Sequence, residues 1–379
     1  MPIYLDNSAT TPPCDAAILA VEKALREDYF NPSALYAPAL QVEKTMRQCR
    51  ETILRALHAP SGSSVVFTSG GTEADNLAIL GRAVKAKGQG KILYGAGEHP
   101  AVWEACAASG CEAVPLPYDR QGLIDLEAAA QIMDENTVMI CCMQVNNETG
   151  AIQPLAALSA LRRRLAPQAH FHVDGVQGFL RTPLDMAALQ VDTYALSGHK
   201  IHAPKGIGAL VMGPGVRLSP RQMGGGQEHA LRSGTENTPG IAGLLAAVNS
   251  FPGIENMREN KLLLWQLIRE ALPSARVNGP DPTSDSAAPH ILNVSLPPVR
   301  SETMLHALEG EGIYVGLGSA CSSRKQKISP VLKAMGTPQH LAESALRFSL
   351  SPMNTAEEMG ETARALARQY AILSKFTRR

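Results

Sequence analysis

The chain has 379 residues, of which 45% are hydrophobic, and 35 basic residues balance 35 acidic ones, so the formal net charge is zero at pH 7. A chain of this length can bury a large core and form two or three structural units, and its hydrophobic content excludes a disordered protein. No long run of like charge occurs, which argues against nucleic acid or a membrane surface as a direct partner.

The first residues and the cysteines indicate a compartment. The segment from Met1 to Asp6 lacks a basic stretch followed by an apolar one, so no secretory signal is predicted, and no apolar stretch is long enough to cross a bilayer. The seven cysteines are an odd number scattered through the chain, which favours reduced thiols over a disulfide scaffold. We therefore expect a cytoplasmic protein whose partner is a small molecule or another protein.

Strand-like and helical segments alternate along the first two thirds of the chain. A short strand at 3–5 and a loop at 6–13, which we expect to lie across another part of the molecule, precede helices at about 15–29 and 39–57. Further strands are predicted at 65–68, 91–94, 138–142, 171–174, 191–196 and 209–212, and further helices near 73–87, 101–109 and 155–165. This alternation is typical of a mostly parallel sheet covered on both faces, whose ligands bind at the carboxyl ends of the strands.

The pattern changes near 251–253. Beyond this point we predict a helix at about 254–272, a solvated loop at 278–286, and shorter elements at 290–294, 301–311, 313–315, 345–350 and 355–373. Such a segment is typical of a smaller α+β unit. We therefore expect a large α/β domain at 15–253 and a small α+β domain made of 1–14 and 254–379.

Two strand ends carry groups that can bind phosphate. Gly71 and Thr72 follow one strand and open a helix, so backbone N–H groups and the positive helix end form an anion site. Alone, this segment is equally well a tight strand-to-helix turn. Ser197 and His199 follow another strand and can also bind phosphate oxygens, so a phosphate site is the better interpretation.

Lys200 follows these residues directly in Ser197-Gly198-His199-Lys200. A free ε-amine has a pKa near ~10.4 and is almost wholly protonated at neutral pH, so a reactive lysine needs neighbours that keep it neutral. The alternative is an ordinary solvated lysine in a surface turn, which the tetrapeptide alone would favour.

Another strand ends in His172-Val173-Asp174, followed by Gln177. Side chains alternate along a strand, so His172 and Asp174 share a face. A carboxylate at the end of a buried strand needs a cation or a donor, and a protonated heteroaromatic nitrogen would satisfy Asp174, while Gln177 could meet a phenolic oxygen. His99 is either a helix cap or an imidazole that lies on a ring or shuttles a proton.

Together these groups describe a site for pyridoxal phosphate, in which a lysine forms a Schiff base, an acidic residue holds the pyridine nitrogen protonated and a helix end anchors the phosphate. From Tyr4 to about Leu350, the sequence resembles cysteine desulfurases of the NifS/IscS type in the class-V aminotransferase family. The resemblance is carried by Glu98-His99-Pro100, Val145-Asn146-Asn147-Glu148-Thr149-Gly150, Val173-Asp174-Gly175-Val176-Gln177, Ser197-Gly198-His199-Lys200 and Leu231-Arg232-Ser233-Gly234-Thr235-Glu236-Asn237.

The resemblance implies the pyridoxal-phosphate-dependent transferase fold type I, with a mostly parallel seven-stranded sheet flanked by helices and a smaller α+β domain. It also implies a homodimer that converts L-cysteine to L-alanine. The sulfur would pass to an enzyme cysteine as a persulfide and then to a protein acceptor, an iron-sulfur scaffold or a thiolation enzyme.

The resemblance assigns roles around the cofactor ring to four residues. Lys200 would form the Schiff base, Asp174 would pair with the pyridine nitrogen, Gln177 would contact the ring oxygen, and His99 would stack on the ring as an acid or base. The phosphate would be held by Gly71, Thr72, Ser197 and His199, and by Thr235 from the second subunit. Asn147 and Arg347 would bind the substrate carboxylate, for which a guanidinium fork is suited because it binds both oxygens.

Cys321 lies in Gly318-Ser319-Ala320-Cys321-Ser322-Ser323, with cationic residues just beyond it. A free thiol is only a few per cent thiolate at neutral pH, so a nucleophilic cysteine needs a base or positive charge nearby. By the resemblance, Cys321 would attack the substrate sulfur from a mobile loop at about 316–328. The alternative is an exposed loop with an incidental thiol.

Two other functions remain open from the sequence. One is selenocysteine lyase or another class-V pyridoxal phosphate enzyme such as an aminotransferase. The other is a metal-binding or sulfur-relay protein that uses His172, Asp174, His199 and His202, since histidines and carboxylates can ligate zinc. We predict no metal site, because two of these positions already have roles in the cofactor site.

Overall fold

A computed structural model describes residues 2–317 and 328–376. Its strands are β1 Ile3–Leu5, β2 Ser64–Thr68, β3 Lys91–Gly95, β4 Glu112–Leu116, β5 Thr137–Met143, β6 His170–Asp174, β7 Thr193–Ser197, β8 Gly208–Met212, β9 Arg276–Val277, β10 Ile291–Ser295, β11 Ile313–Val315 and β12 Ala345–Ser349. Cys321 and the rest of 318–327 lie outside the described residues.

Its helices are α1 Asp15–Arg26, α2 Ala37–Ala56, α3 Gly71–Ala86, α4 Pro100–Ala107, α5 Leu126–Ile132, α6 Leu155–Leu165, α7 Met186–Leu189, α8 Thr238–Asn249, α9 Glu255–Ala271, α10 Ser301–Glu309, α11 Pro330–Ala334, α12 Gln339–Ala342 and α13 Ala356–Leu373. None of these helices combines the length and apolar character needed to cross a membrane.

Seven strands form the main sheet, in the order β2-β8-β7-β6-β5-β3-β4. β8 pairs antiparallel with both its neighbours, and all other pairs are parallel. The predicted mostly parallel sheet is therefore confirmed. Because six strands point the same way, their carboxyl ends meet at one edge of the sheet, and the polar clusters of the sequence follow those ends.

The two faces of β6 differ in chemistry. Phe171 and Val173 pack into the largest apolar core. His170, His172 and Asp174 alternate with them and occupy the opposite face, as the period of a strand requires. All five residues are buried, so the polar face is enclosed by the protein.

The remaining strands form two smaller sheets. β1 pairs in parallel with β11, and β10 lies between β12 and β9 in an antiparallel sheet. A separate apolar core joins Ile3 and Leu5 with residues of α9, β10, α10, β12 and α13. This core is consistent with the division into 15–253 and 1–14 with 254–379, which stays a prediction.

Most of the predicted elements lie within a few residues of their expected bounds, but seven elements were not predicted: β4, β9, α5, α7, α8, α11 and α12. β4 contains a proline and a glutamate, and only Leu116 among its five residues is buried, so it lacks the apolar run of a central strand. α5 spans only seven residues. α8 has the sequence TPGIAGLLAAVN, in which small and apolar residues hide the helical period, and its start is fixed by the Asn237 side chain, which accepts from the backbone N–H of Gly240. α1 ends at Arg26, three residues earlier than expected, where Lys23 pairs with Asp28.

Candidate active site

A cavity of about 350 Å³ lies at the carboxyl ends of the parallel strands and at the start of α3. It brings together ten of the twelve residues that the sequence indicates. They are Gly71, Thr72, His99, Asn147, Asp174, Gln177, Ser197, His199, Lys200 and Arg347. The other two are Thr235, which does not line this cavity in the single chain, and Cys321, which lies outside the described residues.

Lys200 is the last residue of a short 3-10 turn after β7. Its Nζ donates to the carbonyl oxygen of Ser8 at 2.5 Å and to that of Ala9 at 2.8 Å. Burial, followed by the nearby charges of Arg347 and Arg181, lowers the pKa of this amine to about 7. A large fraction of the amine is therefore unprotonated near neutral pH, as a lysine nucleophile requires.

The N-terminal loop at 6–13 was predicted to lie across another part of the molecule. It packs over the segments that follow the carboxyl ends of β6 and β7. The Ser8 carbonyl also accepts from Gln177 Nε2 at 3.0 Å, and the Thr10 hydroxyl lies 3.1 Å from His199 Nδ1. The backbone N–H of Thr11 bonds to the carbonyl of His199 at 2.9 Å. The loop thus fixes three of the predicted site residues through its own backbone and hydroxyl groups.

Asp174 ends β6 and is buried, and its Oδ1 accepts from the backbone N–H of Val176 at 2.9 Å. Burial and the negative charge of Asp75 raise the pKa of Asp174 to about 7. A carboxylate held in this way is stabilised by a cationic partner. A protonated ring nitrogen in the cavity supplies that partner, so Asp174 fits the cofactor that the sequence indicates.

His99 is both a helix cap and a wall of the cavity. Its Nδ1 accepts from the backbone N–H of Ala101 at 3.1 Å. In the neutral imidazole the proton is therefore on Nε2. Burial lowers the pKa of His99 although the charge of Asp174 acts in the opposite direction, so His99 is neutral at pH 7.

The start of α3 offers backbone N–H groups to an anion. A Cβ added at Gly71 would clash with Val176, so only glycine lets the first helical turn approach the segment after β6 this closely. Glu73 is acidic in that turn, but its carboxylate accepts from Ser69 N at 2.7 Å and from Arg232 Nε at 2.9 Å. Its charge is therefore compensated, and Thr72 remains exposed at the cavity.

Thr235 is exposed on the segment that follows Arg232. Because Arg232 is paired with Glu73 of α3, this segment is tied to the start of α3 in its own chain. That Thr235 reaches a second subunit stays a prediction.

Arg347 lies in β12 and is almost fully buried. Its Nη1 donates to the Asn147 carbonyl at 2.8 Å, and its Nη2 pairs with Asp6 Oδ1 at 2.6 Å. The guanidinium is therefore oriented by two fixed acceptors at the cavity wall. Asp6 was not predicted as a site residue, although it lies at the start of the segment that carries the family resemblance.

The side-chain amide of Gln177 already makes hydrogen bonds within the protein. Its Oε1 accepts from Arg181 Nη1 at 3.0 Å and its amide nitrogen donates to Ser8. One of the two amide hydrogens is thus committed to the N-terminal loop.

Three buried carboxyl groups that line the cavity were not predicted as site residues: Asp75, Glu98 and Glu148. Glu98 Oε1 accepts from Met143 N at 2.6 Å, and burial with the charge of Asp174 raises its pKa well above the usual range. Burial also raises the pKa of Asp75 well above its usual range. Asp75 could have been found from the sequence, because it lies four residues after Gly71 and so on the same helical face.

The six described cysteines do not line the cavity. Cys49 and Cys106 lie in helices, and Cys141 and Cys142 lie in strand β5. Burial raises the pKa of Cys49 to about 12. These thiols act as small apolar side chains.

The arrangement does not favour the metal-binding alternative. His172 bonds to Asp75 and Thr193, His199 to Thr10, and His202 to the carbonyl of Pro12. Across residues 2–317 and 328–376, no three histidine, cysteine or acidic side chains converge on one point as metal ligands would.

The chain matches the aminotransferase class-V family over residues 3–361. It is 36% identical over 365 residues to the cysteine desulfurase IscS of Methanosarcina thermophila, covering 94% of this chain and 89% of that protein. It is 36% identical over 373 residues to the cysteine desulfurase NifS of Azotobacter vinelandii, covering 96% and 91%. A solved structure described as a NifS-like protein superposes with a TM-score of 0.88 at 31% identity, covering 98% and 100%. The residues that line the cavity all fall inside the matched range.

Proposed function

Because this chain belongs to the class-V aminotransferase family and has the fold type I of pyridoxal phosphate enzymes, we propose that it is a cysteine desulfurase that converts L-cysteine to L-alanine and receives the sulfur on Cys321. The observation that carries the proposal is the convergence of Lys200, Asp174, His99 and Arg347 on one cavity. L-cysteine is proposed as the substrate because the similar proteins are named cysteine desulfurases.

The residues of the cavity fit pyridoxal phosphate. Lys200 holds an amine of lowered pKa, Asp174 holds a buried carboxyl that needs a cation, and the start of α3 holds N–H groups for a phosphate. When bound, this cofactor supplies an electron sink for negative charge that develops at the substrate Cα. We assign the phosphate to Gly71, Thr72, Ser197 and His199, and the ring oxygen to Gln177.

Arg347 and Asn147 then bind the substrate carboxylate and fix the orientation of its Cα. The unprotonated Lys200 amine accepts the Cα proton and later returns a proton to carbon. The Cys321 thiolate attacks the substrate Sγ, so that an S–S bond forms as the Cβ–Sγ bond breaks. The carbon fragment takes up a proton and leaves as alanine, and the persulfide remains on Cys321.

We further propose a cytoplasmic homodimer in which Thr235 contacts the phosphate of the partner site. Exposed leucines in α1, α2 and their connection support self-association, because an interface would remove their apolar surface from water. They are Leu19, Leu25, Leu35 and Leu40, with exposed fractions of 65%, 62%, 97% and 57%. The sulfur would pass to a protein acceptor, an iron-sulfur scaffold or a thiolation enzyme.

The variant Cys321→Ser tests the nucleophile. We expect it to keep the cofactor absorbance and to release no sulfide or alanine beyond background, while Cys14→Ser, a matched change at a cysteine outside the cavity, keeps the parent rate. Sulfide release by Cys321→Ser at the parent rate would show that another group receives the sulfur. Borohydride should bleach the yellow parent enzyme, and a colourless, zinc-loaded protein would contradict the whole proposal.

A further inference from the structure

A row of polar side chains runs from the cavity into the interior beneath α3. Strands that are covered on both faces normally carry apolar residues on both. β6 instead places His170 and His172 behind Asp174 on one face, and both imidazoles are buried. The proposed reaction gives neither histidine a role.

These side chains form a continuous chain of contacts. Asp75 Oδ1 of α3 lies 3.1 Å from His172 Nε2, and His172 Nδ1 lies 3.0 Å from Thr193 Oγ1. The same Thr193 oxygen lies 2.8 Å from His170 Nε2. Asp75 lines the cavity, so one end of the chain is at the proposed cofactor site.

The Thr193 hydroxyl allows only two arrangements of these hydrogen bonds. It has one hydrogen, so it donates to one imidazole and accepts from the other. In the first arrangement Asp75 bears a proton and donates to His172, which donates to Thr193, which donates to His170. In the second arrangement every donor and acceptor is exchanged, and Asp75 is a carboxylate.

The charge at each end favours the first arrangement. Asp75 and Asp174 are both buried at one cavity, and the charge of Asp75 raises the pKa of Asp174, so the two carboxyl groups resist being ionised together. At the other end, His170 Nδ1 lies 3.9 Å from Asp192 Oδ2. The first arrangement puts the N–H of His170 on that nitrogen, where it faces a negative charge.

Other titratable groups around the chain do not reverse this preference. Burial raises the pKa values of Glu98 and Cys141 well above their usual ranges, which keeps both neutral. Burial lowers the pKa of His172 to about 4, so its ring carries one proton. Burial lowers the pKa of His170 well below its usual value, and the charges of Arg82 and Arg162 lower it further. The His170 ring is therefore neutral too.

We propose that Thr193 and His172 are positioning residues that hold Asp75 in its proton-bearing form, so that Asp174 is the anion facing the cofactor ring. This inference rests on the proposed cofactor site. It assigns a function to the buried polar face of β6: the face sets which of two neighbouring carboxyl groups is charged.

Thr193→Val and Thr193→Ser test the hydroxyl in the holoenzyme without cysteine. The valine has the same shape but leaves His172 Nδ1 without an acceptor, so His172 donates to Asp75 instead and Asp75 ionises. We expect the Kd of pyridoxal phosphate to rise about tenfold and the acid-side midpoint of the cofactor absorbance to move up by about half a pH unit or more. Thr193→Ser keeps the hydroxyl and should retain the parent midpoint and Kd within about twofold.

Asp75→Asn provides a second test that does not depend on Thr193→Val folding. The asparagine amide is uncharged and can donate to His172 Nε2 as a protonated Asp75 does. We expect the parent Kd within about twofold and an unchanged midpoint, because no charge is lost. A midpoint in Asp75→Asn lowered by about half a unit would show that Asp75 is a carboxylate, and would overturn the inference.

An unchanged midpoint and Kd in folded Thr193→Val would also overturn it, as would a serine variant that behaves like the valine. Failure of the proposed function looks different. In that case the parent protein binds no pyridoxal phosphate, or binds it and releases no alanine from cysteine.

Discussion

The Lys200 amine and the Ser8 carbonyl oxygen lie 2.5 Å apart, although 192 positions separate them in the sequence. The N-terminal loop therefore holds the amine that we propose for the Schiff base with the cofactor. Because the carbonyls of Ser8 and Ala9 are neutral acceptors, they orient this amine but do not offset the cost of burying its charge. Burial, followed by the charges of Arg347 and Arg181, lowers the pKa of this amine to about 7.

Replacing Lys200 by methionine should stabilise the cofactor-free protein. In the unfolded chain the amine has its ordinary pKa of ~10.4, whereas in the folded protein the pKa is about 7. Between these values the unfolded state binds more protons, so the native protein gains stability as pH rises through this window. The penalty is therefore largest below pH 7, where we expect Lys200→Met to raise the free energy of unfolding by on the order of 2 kcal/mol.

Urea unfolding of the cofactor-free proteins at pH 6, 8 and 10 measures this effect. The advantage of Lys200→Met should shrink as pH rises and be nearly gone at pH 10. Lys205→Met, at an exposed position nearby, should show no such trend. An advantage that is constant with pH would mean that packing, not buried charge, is the cause.

The stabilisation by Asp174→Asn should depend on pH in the opposite direction to that by Lys200→Met. The pKa of Asp174 is raised to about 7, so between ~3.9 and 7 the folded protein binds more protons than the unfolded chain and loses stability as pH rises. The cofactor-free variant should thus equal the parent near pH 4 and exceed it by on the order of 2 kcal/mol at pH 8. Its Kd for pyridoxal phosphate should rise at least about a hundredfold, because the cation partner is lost.

Equilibrium dialysis and urea unfolding measure the two effects on the same samples. Asp285→Asn is a matched control, since Asp285 is exposed and lies outside the cavity, and it should leave the Kd nearly unchanged. A stable Asp174→Asn protein with the parent Kd would remove Asp174 from the proposed site.

The sequence was sufficient for six of the seven strands of the main sheet and for the residues that follow their ends, because both come from local patterns, but not for β4. Apolar runs of strand length identify β5 to β8, and the polar residues just after them are brought together by the parallel topology itself. α8 was missed because its helical period has no polar face. Periodicity detects a helix only where one side differs from the other.

The contributions of Ser8 and Ala9 could not have been found in this way. They act through main-chain carbonyls, which every residue carries, so no residue type marks them. Asp6 was missed for a related reason. Asp6, just after β1, pairs with Arg347 of β12, 341 positions away. No local pattern predicts which distant cation a carboxylate will contact.

Arg347→Lys should impair cysteine binding while leaving the cofactor in place. The guanidinium is oriented by Asn147 and Asp6, and a lysine amine cannot reproduce two parallel hydrogen bonds to a carboxylate. We expect the KM for L-cysteine to rise about tenfold or more, corresponding to at least ~1.4 kcal/mol. The cofactor absorbance should be that of the parent.

Steady-state alanine release with varied cysteine checks this expectation. Arg276→Lys, an exposed change in β9, is the control and should not alter the KM. If Arg347→Lys lowered kcat with an unchanged KM, the guanidinium would act on a later step than substrate binding.

The segment before Thr235 stores backbone strain that substitution can relieve. Glu228, His229 and Ala230 have φ values of 50°, 57° and 60°, a left-handed region that costs non-glycine residues roughly 1 kcal/mol each. The Glu228 carboxylate supports this turn by accepting from Phe67 N at 2.9 Å and from Arg50 Nη2 at 2.7 Å.

Ala230→Gly should therefore stabilise the protein by about 0.5–1 kcal/mol, since Ala230 is exposed and no packing is lost. The same change at Ala371, exposed in α13, should destabilise it by up to about 1 kcal/mol because glycine is unfavourable in a helix. Glu228→Ala should cost about 3 kcal/mol, because Arg50 and the Phe67 N–H lose their partner. Chemical unfolding of the three variants measures these signs, and stabilisation at both alanine positions would show that the effect of Ala230→Gly does not come from its backbone angle.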